Sequence, residues 1–231
     1  MRALLILIVV LAIALVVGDR VAVAAAQNEI GRKIAAEYEL PHRPSVAIGG
    51  FPFLTQAVAG TYRDIDIRIG DWSGHDISVH DLDVALSDVS APLSDVIDNR
   101  TSNLVAATAT ATAVVPYDVV QGYAPAGVES ISHGPEGLQA TGTFSVAGLT
   151  VPATVFVTVA PTEAGIEVTP VSVRAPAGGP TLSLTLLRQS LTFVVPLQQL
   201  PLGARVTEIQ PGDDGLHATA VAHDVRFDDL P

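Results

Sequence analysis

The sequence predicts an α+β protein in which an N-terminal membrane and amphipathic helix precedes a mostly antiparallel, curved β-sheet domain with short helices. Three observations carry that prediction. An unbroken apolar run opens the chain and passes into helical spacing. From Ser45 onward, apolar residues recur at every second position. Aromatics are only 5% of a chain that is 48% hydrophobic, so the core must be built largely from Ala and Val, whose small or β-branched side chains suit strands.

The apolar run is Ala3 to Val17, preceded by Arg2 and followed by Gly18-Asp19-Arg20. Its length lies between the core of a signal peptide and the roughly 20 residues that a bilayer span needs. Ala24-Ala25-Ala26 offers the small residues of a cleavage site, but Asp19 and Arg20 separate it from the apolar core, which favours retention. Residues 1–18 are therefore a signal-anchor or signal peptide, and 19–231 a single extracytoplasmic domain. The basic residue on the leading side turns a retained anchor's amino terminus toward the cytoplasm.

Beyond Arg20, Val23, Ala26, Ile30, Ile34 and Tyr38 recur every three or four positions while Glu29, Lys33 and Glu37 occupy another face. This is an amphipathic helix over 19–40, and Pro41 and Pro44 must end it. Continuous from residue 3, it would reach about 55 Å at 1.5 Å per residue.

Ile65, Ile67 and Ile69 alternate with Asp66 and Arg68, and Val79, Leu82, Val84 and Leu86 continue the theme. These read as half-buried antiparallel strands. From Leu104 to Val115 the alternation places Val105, Ala107, Ala109, Ala111, Ala113 and Val115 on one face and threonines on the other. A face of small side chains leaves room for close approach of another element, its commoner use, or for a bound chain.

Two later stretches resemble each other. Val114-Val115-Pro116-Tyr117, Val128 to Ile131 and Gly134 to Thr141 are echoed by Val194-Val195-Pro196-Leu197, Val206 to Ile209 and Gly212 to Thr219. Each predicts a strand end, a helix or turn at proline, and a hairpin with a glycine-bounded tip. A third hairpin is expected around Glu163-Ala164-Gly165, a helix over Thr181 to Thr192, and a loop over Ala175 to Pro180.

Charge and composition narrow the function. With 24 acidic against 12 basic residues the net charge is −12, the wrong sign for a nucleic-acid partner. There are no cysteines, which removes disulfides, thiol catalysis and Cys-type metal sites. The six histidines are scattered; His75-Asp76 and His80-Asp81 come nearest to a metal constellation, but a spacing of five sets the histidines on opposite strand faces. Asp213-Asp214 and Asp228-Asp229 read as solvated charge. No nucleophile elbow, phosphate loop or dinucleotide fingerprint occurs. No catalytic residue, metal or cofactor is expected.

The most unusual stretch is Gly49 to Gln56, which sets Phe51, Phe53 and Leu54 around Pro52. Glycine and proline argue for an apolar loop. It can plug the end of a sheet beneath the helix, or form a lip through which lipid enters. Arg43, Arg63 and Arg68 flank it, and guanidinium forks suit phosphate headgroups. Candidate lipid-contacting residues are thus Phe51, Phe53 and Leu54, the helix stripe Ile30, Ile34 and Tyr38, and Ala107, Ala109 and Ala111.

The anchor ending in Asp19-Arg20, the Pro44-Ser45-Val46…Gly50-Phe51-Pro52-Phe53-Leu54-Thr55-Gln56 block and the Leu200-Pro201-Leu202-Gly203…Asp214-Gly215-Leu216 hairpin resemble the actinobacterial LmeA-like phospholipid-binding family. The resemblance covers nearly the whole chain. It implies a non-enzymatic cell-envelope protein that binds phospholipid or a phosphatidylinositol-type glycolipid and supports lipoglycan (lipomannan-type) maintenance. By analogy it also implies a sheet curled around a helix, as in tubular lipid-binding proteins. Two rival readings are a membrane-tethered scaffold for an envelope protein partner and an enzyme acting on a glycolipid.

Overall fold

The structure, a computed structural model, describes residues 2–73, 78–97, 103–134, 137–146, 149–162, 165–174, 192–195 and 200–227. The expected helix over Thr181 to Thr192 and loop over Ala175 to Pro180 lie almost wholly outside them, as do His75-Asp76 and Asp228-Asp229.

A single helix, α1 (Arg2–Glu37), joins the apolar run to the amphipathic stretch. At 1.5 Å per residue it is about 54 Å long. The side chains before Asp19 are exposed, whereas Val23 is buried and Ala26, Ile30 and Ile34 pack against the domain. The predicted stripe therefore holds as far as Ile34; Tyr38 follows the helix end and is exposed. Gly31 is required where α1 crosses the chain at Pro44, because a Cβ there would stand 2.8 Å from the Pro44 carbonyl oxygen.

β1 (Ser45–Ile48) leads through Gly49 to Pro52 into α2 (Phe53–Ala59), then β2 (Thr61–Ser73) and β3 (Ser78–Ser90). The stretch expected to be loop throughout is therefore loop only as far as Pro52. α3 (Leu93–Ile97) precedes β4 (Val105–Val115), α4 (Tyr117–Gln121) and the hairpin β5 (Val128–Gly134) and β6 (Gly137–Val146). β7 (Leu149–Thr162) and β8 (Gly165–Arg174) form the third predicted hairpin. β9 (Phe193–Val195), a 3-10 turn at Pro201–Gly203, β10 (Arg205–Pro211) and β11 (Leu216–Arg226) complete the chain.

The strands divide into two sheets, ordered β1-β2-β3-β4-β11-β10 and β5-β6-β7-β8-β9, with every described pairing antiparallel. The two resembling stretches explain the division. The first starts in the six-stranded sheet as β4 and sends its hairpin, β5–β6, into the five-stranded one. The second starts in the five-stranded sheet as β9 and sends its hairpin, β10–β11, back beside β4. Each sheet thus receives a hairpin from a unit begun in the other.

Two apolar clusters result. One lies between α1 and the six-stranded sheet around Val46, Ile48, Phe53, Tyr62, Leu86 and Val225. The other joins the sheets, setting Ile209 and Leu216 against Leu138, Phe144, Val155 and Val168. Tyr117 Oη of α4 donates to the Gly212 carbonyl at 2.6 Å, and His133 Nδ1 of β5 lies 2.8 Å from Asp213 Oδ1, so the turn between β10 and β11 is also held by polar contacts to α4 and to the five-stranded sheet.

Besides the register shifts between Arg68 and Trp72, His80 and Asp83, and Val206 and Glu208, the six-stranded sheet carries an irregularity that runs across four strands and that strand alternation does not predict. Its ladders skip Arg63, Asp88, Ala107 and Asp224, which lie side by side on four neighbouring strands and are all exposed. On either side of this line the inward residues are three apart rather than two: Tyr62 and Ile65, Leu86 and Val89, Ala106 and Ala109, Ala222 and Val225. Asp88 and Asp224 have positive φ, 50° and 52°, a conformation that short polar side chains tolerate. A left-handed residue in every second strand re-phases the sheet.

Candidate lipid-binding surface

The inward face of the six-stranded sheet continues past α1. Between β4 and β11 its rungs are Ala109 with Ala222, Ala111 with Ala220, Ala113 with Ala218, and Val115 with Leu216. Ala109 and Ala222 belong to the cluster beneath α1, and the next two alanine pairs separate it from the cluster between the sheets. Ala109, Ala111, Ala113, Ala218 and Ala220 are half-buried. From Ala109 to Val115 this floor runs about 20 Å at roughly 3.3 Å per residue. Val84 and Val206 border it on the neighbouring strands. At its far end Leu216 and Ile209 meet the wall of a second apolar feature, a narrow cleft in the five-stranded sheet lined by Val120, Val128, Ile131, Leu138, Phe144 and Phe193.

The opposite face of the same strands is polar. Asp83, Thr112, Thr219 and Glu208 form a row in register, and with Asp81 and His217 they line an acidic concavity. Its charge disfavours phosphate. Among the described residues no group of His, Asp and Glu is arranged to hold a metal ion.

The sequence candidates fall in several places. Ile30 and Ile34 are half-buried on the side of α1 that faces the domain, and Ala109 and Ala111 lie in the alanine floor. Ala107 stands on the skipped line and is exposed. Phe53 is 7% exposed, its ring 6.1 Å from that of Tyr62, inside the core. Phe51 is 60% exposed and Leu54 also faces outward. Arg43, Arg63 and Arg68 are all exposed but not gathered: Arg43 lies against Gly31 of α1, Arg63 is on the skipped line, and Arg68 sits on the outward face of β2.

Two residues near the Phe51 loop, Asp19 and Arg20, read in the sequence only as the polar end of the anchor. The Asp19 side chain is buried, its Oδ1 accepting the Leu54 backbone N–H at 2.8 Å and its Oδ2 bonded to Arg20. The Arg20 guanidinium lies over the Phe51 ring, 5.1 Å from its centroid. An acid–base pair directly after an apolar run was the available signal. The cleft residues were missed too, although Val128, Ile131 and Leu138 belong to the first of the resembling stretches.

A long apolar floor with no polar side chain on it, reached past a helix that is long and apolar enough to cross a membrane, suits an extended apolar ligand. A model of the LmeA-like phospholipid-binding family matches residues 17–221, and the chain belongs to that family. No curated protein and no solved structure matches it.

Proposed function

We propose that the protein is a membrane-tethered, non-enzymatic carrier or holder of phospholipid on the extracytoplasmic side of a cell membrane. The acyl chains lie along the alanine floor and reach toward the cleft of the five-stranded sheet. The observation that carries this reading is the ladder of alanine pairs, which keeps an apolar strip of the sheet free of bulky side chains between two packed clusters. Each methylene transferred from water to such a surface contributes about 0.8 kcal/mol, so a few half-buried chains offset the unfavourable net charge. In the cell this supports maintenance of envelope lipoglycans, with a phosphatidylinositol-type lipid as ligand and α1 as a retained anchor whose amino terminus is cytoplasmic.

The test is lipid extraction and mass spectrometry of the full chain purified in mild detergent. Phospholipid retained in stoichiometric amount supports the reading. A chain that remains empty, and takes up no phospholipid from mixed micelles, overturns it in favour of a scaffold that holds an envelope protein partner.

A further inference from the structure

α2 carries apolar side chains on its outward as well as its inward side. Phe53 and Ala57 point into the core, whereas Leu54 and Val58, one turn apart on the outward side, are 42% and 82% exposed. Phe51 precedes them, and Leu93 of α3, which packs beside α2, is also exposed. Isolated exposed apolar residues need no explanation, but a contiguous group does.

The position of this group identifies what covers it. Asp19 holds the first turn of α2 through the Leu54 N–H, and Arg20 stacks on Phe51. The group is thereby tied to the point where α1 leaves the domain and its exposed apolar segment, Ala3 to Val17, begins.

We infer that the outward face of α2, with Phe51 and Leu93, dips into the same bilayer leaflet that α1 enters, so that the domain is held to the lipid surface at two adjoining points. Arg20 then lies at the level of the lipid phosphates, where its partly exposed guanidinium serves both Asp19 and a headgroup. Two attachments fix the domain's tilt, which a single helix leaves free. The inference rests on reading α1 as an anchor but not on lipid occupying the alanine floor.

The absence of cysteine permits a direct test by single-cysteine spin labelling of the full chain in nanodiscs of phosphatidylglycerol and phosphatidylethanolamine. Labels go at Ala12→Cys in α1, Val58→Cys in α2 and Val171→Cys at an exposed position of β8. Collision with oxygen and with a water-soluble nickel chelate reports depth. Expected is a several-fold lower nickel collision rate at positions 12 and 58 than at 171, with oxygen access retained. Nickel access at 58 equal to that at 171, with 12 still shielded, overturns the inference alone. Free access at all three overturns the anchor reading with it. Dipolar broadening at 58 places a second copy of the chain there instead, and also overturns it.

Discussion

Asp19 of α1 accepts the backbone N–H of Leu54 at 2.8 Å, across 35 residues of sequence. A carboxylate at the end of an apolar run is thus part of the fold, fastening α2 to the helix that leads away from the domain. Replacing Asp19 with Ala leaves the Leu54 N–H without its acceptor. Amide exchange over residues 53–59 is then expected to speed several-fold, while Asp19→Asn, which keeps an oxygen acceptor, changes it little. Equal exchange in wild type and Asp19→Ala would mean that the bond holds nothing.

The alanine floor has room only while it remains alanine. Ala111→Phe and Ala220→Phe, facing each other across β4 and β11, are expected to reduce co-purified phospholipid several-fold with far-ultraviolet circular dichroism unchanged. Val171→Phe, on an exposed position of β8, should leave the lipid content at the wild-type level.

Leu138, 1% exposed, sits in the cluster that joins the sheets. Leu138→Ala should lower the unfolding free energy by about 2–5 kcal/mol, through lost burial and the cavity left behind. Denaturant titration of the chain reads this directly.

The re-phasing of the six-stranded sheet depends on the left-handed backbone at Asp88. Asp88→Val, β-branched at a φ of 50°, is expected to cost about 1–2 kcal/mol. Asp88→Gly, free at that angle, should be neutral or stabilising. A tolerated valine would show that the position is not held there in solution.

His80 Nδ1 lies 2.7 Å from Asp71 Oδ1 between β3 and β2. That hydrogen bond, followed by the charges of Asp71, Asp81 and Asp118, raises the imidazole above its ordinary 6.5. The folded state therefore binds this proton more tightly than the unfolded chain. Its contribution is fully present below the unfolded value and is lost as pH rises through the folded one. Nuclear magnetic resonance titration should find His80 above 6.5, and Asp71→Asn should bring it down.

Local pattern carried much of this architecture. The apolar run, its continuation into an amphipathic stripe, the antiparallel strands and three hairpins all follow from spacing and turn residues, which act within a few positions. What depended on distant parts of the chain did not. Ala107 alternates in sequence with Ala109 and Ala111, yet the left-handed residues on β3 and β11 turn it outward, and nothing in its own strand marks the slip. The Gly49 to Gln56 stretch was legible as apolar, but its division between Phe53 inside and Phe51 with Leu54 outside is set by the turn of α2. Asp19 looked like the polar end of an anchor until its partner, 35 residues on, was placed beside it.

The exchange of hairpins between the sheets bears on biogenesis. β4, made early, keeps one open edge until β11 arrives a hundred residues later, and all five strands of the second sheet are made in between. The five strands of the second sheet are contiguous in the chain, whereas the six-stranded sheet cannot be completed until β10 and β11 are made, so no proteolytic fragment ending before β10 retains the wall of the alanine floor. Until then the free edge of β4, already paired with β3 on its other side, must be kept from pairing with a neighbouring chain, a hazard that lasts through synthesis of the whole second sheet.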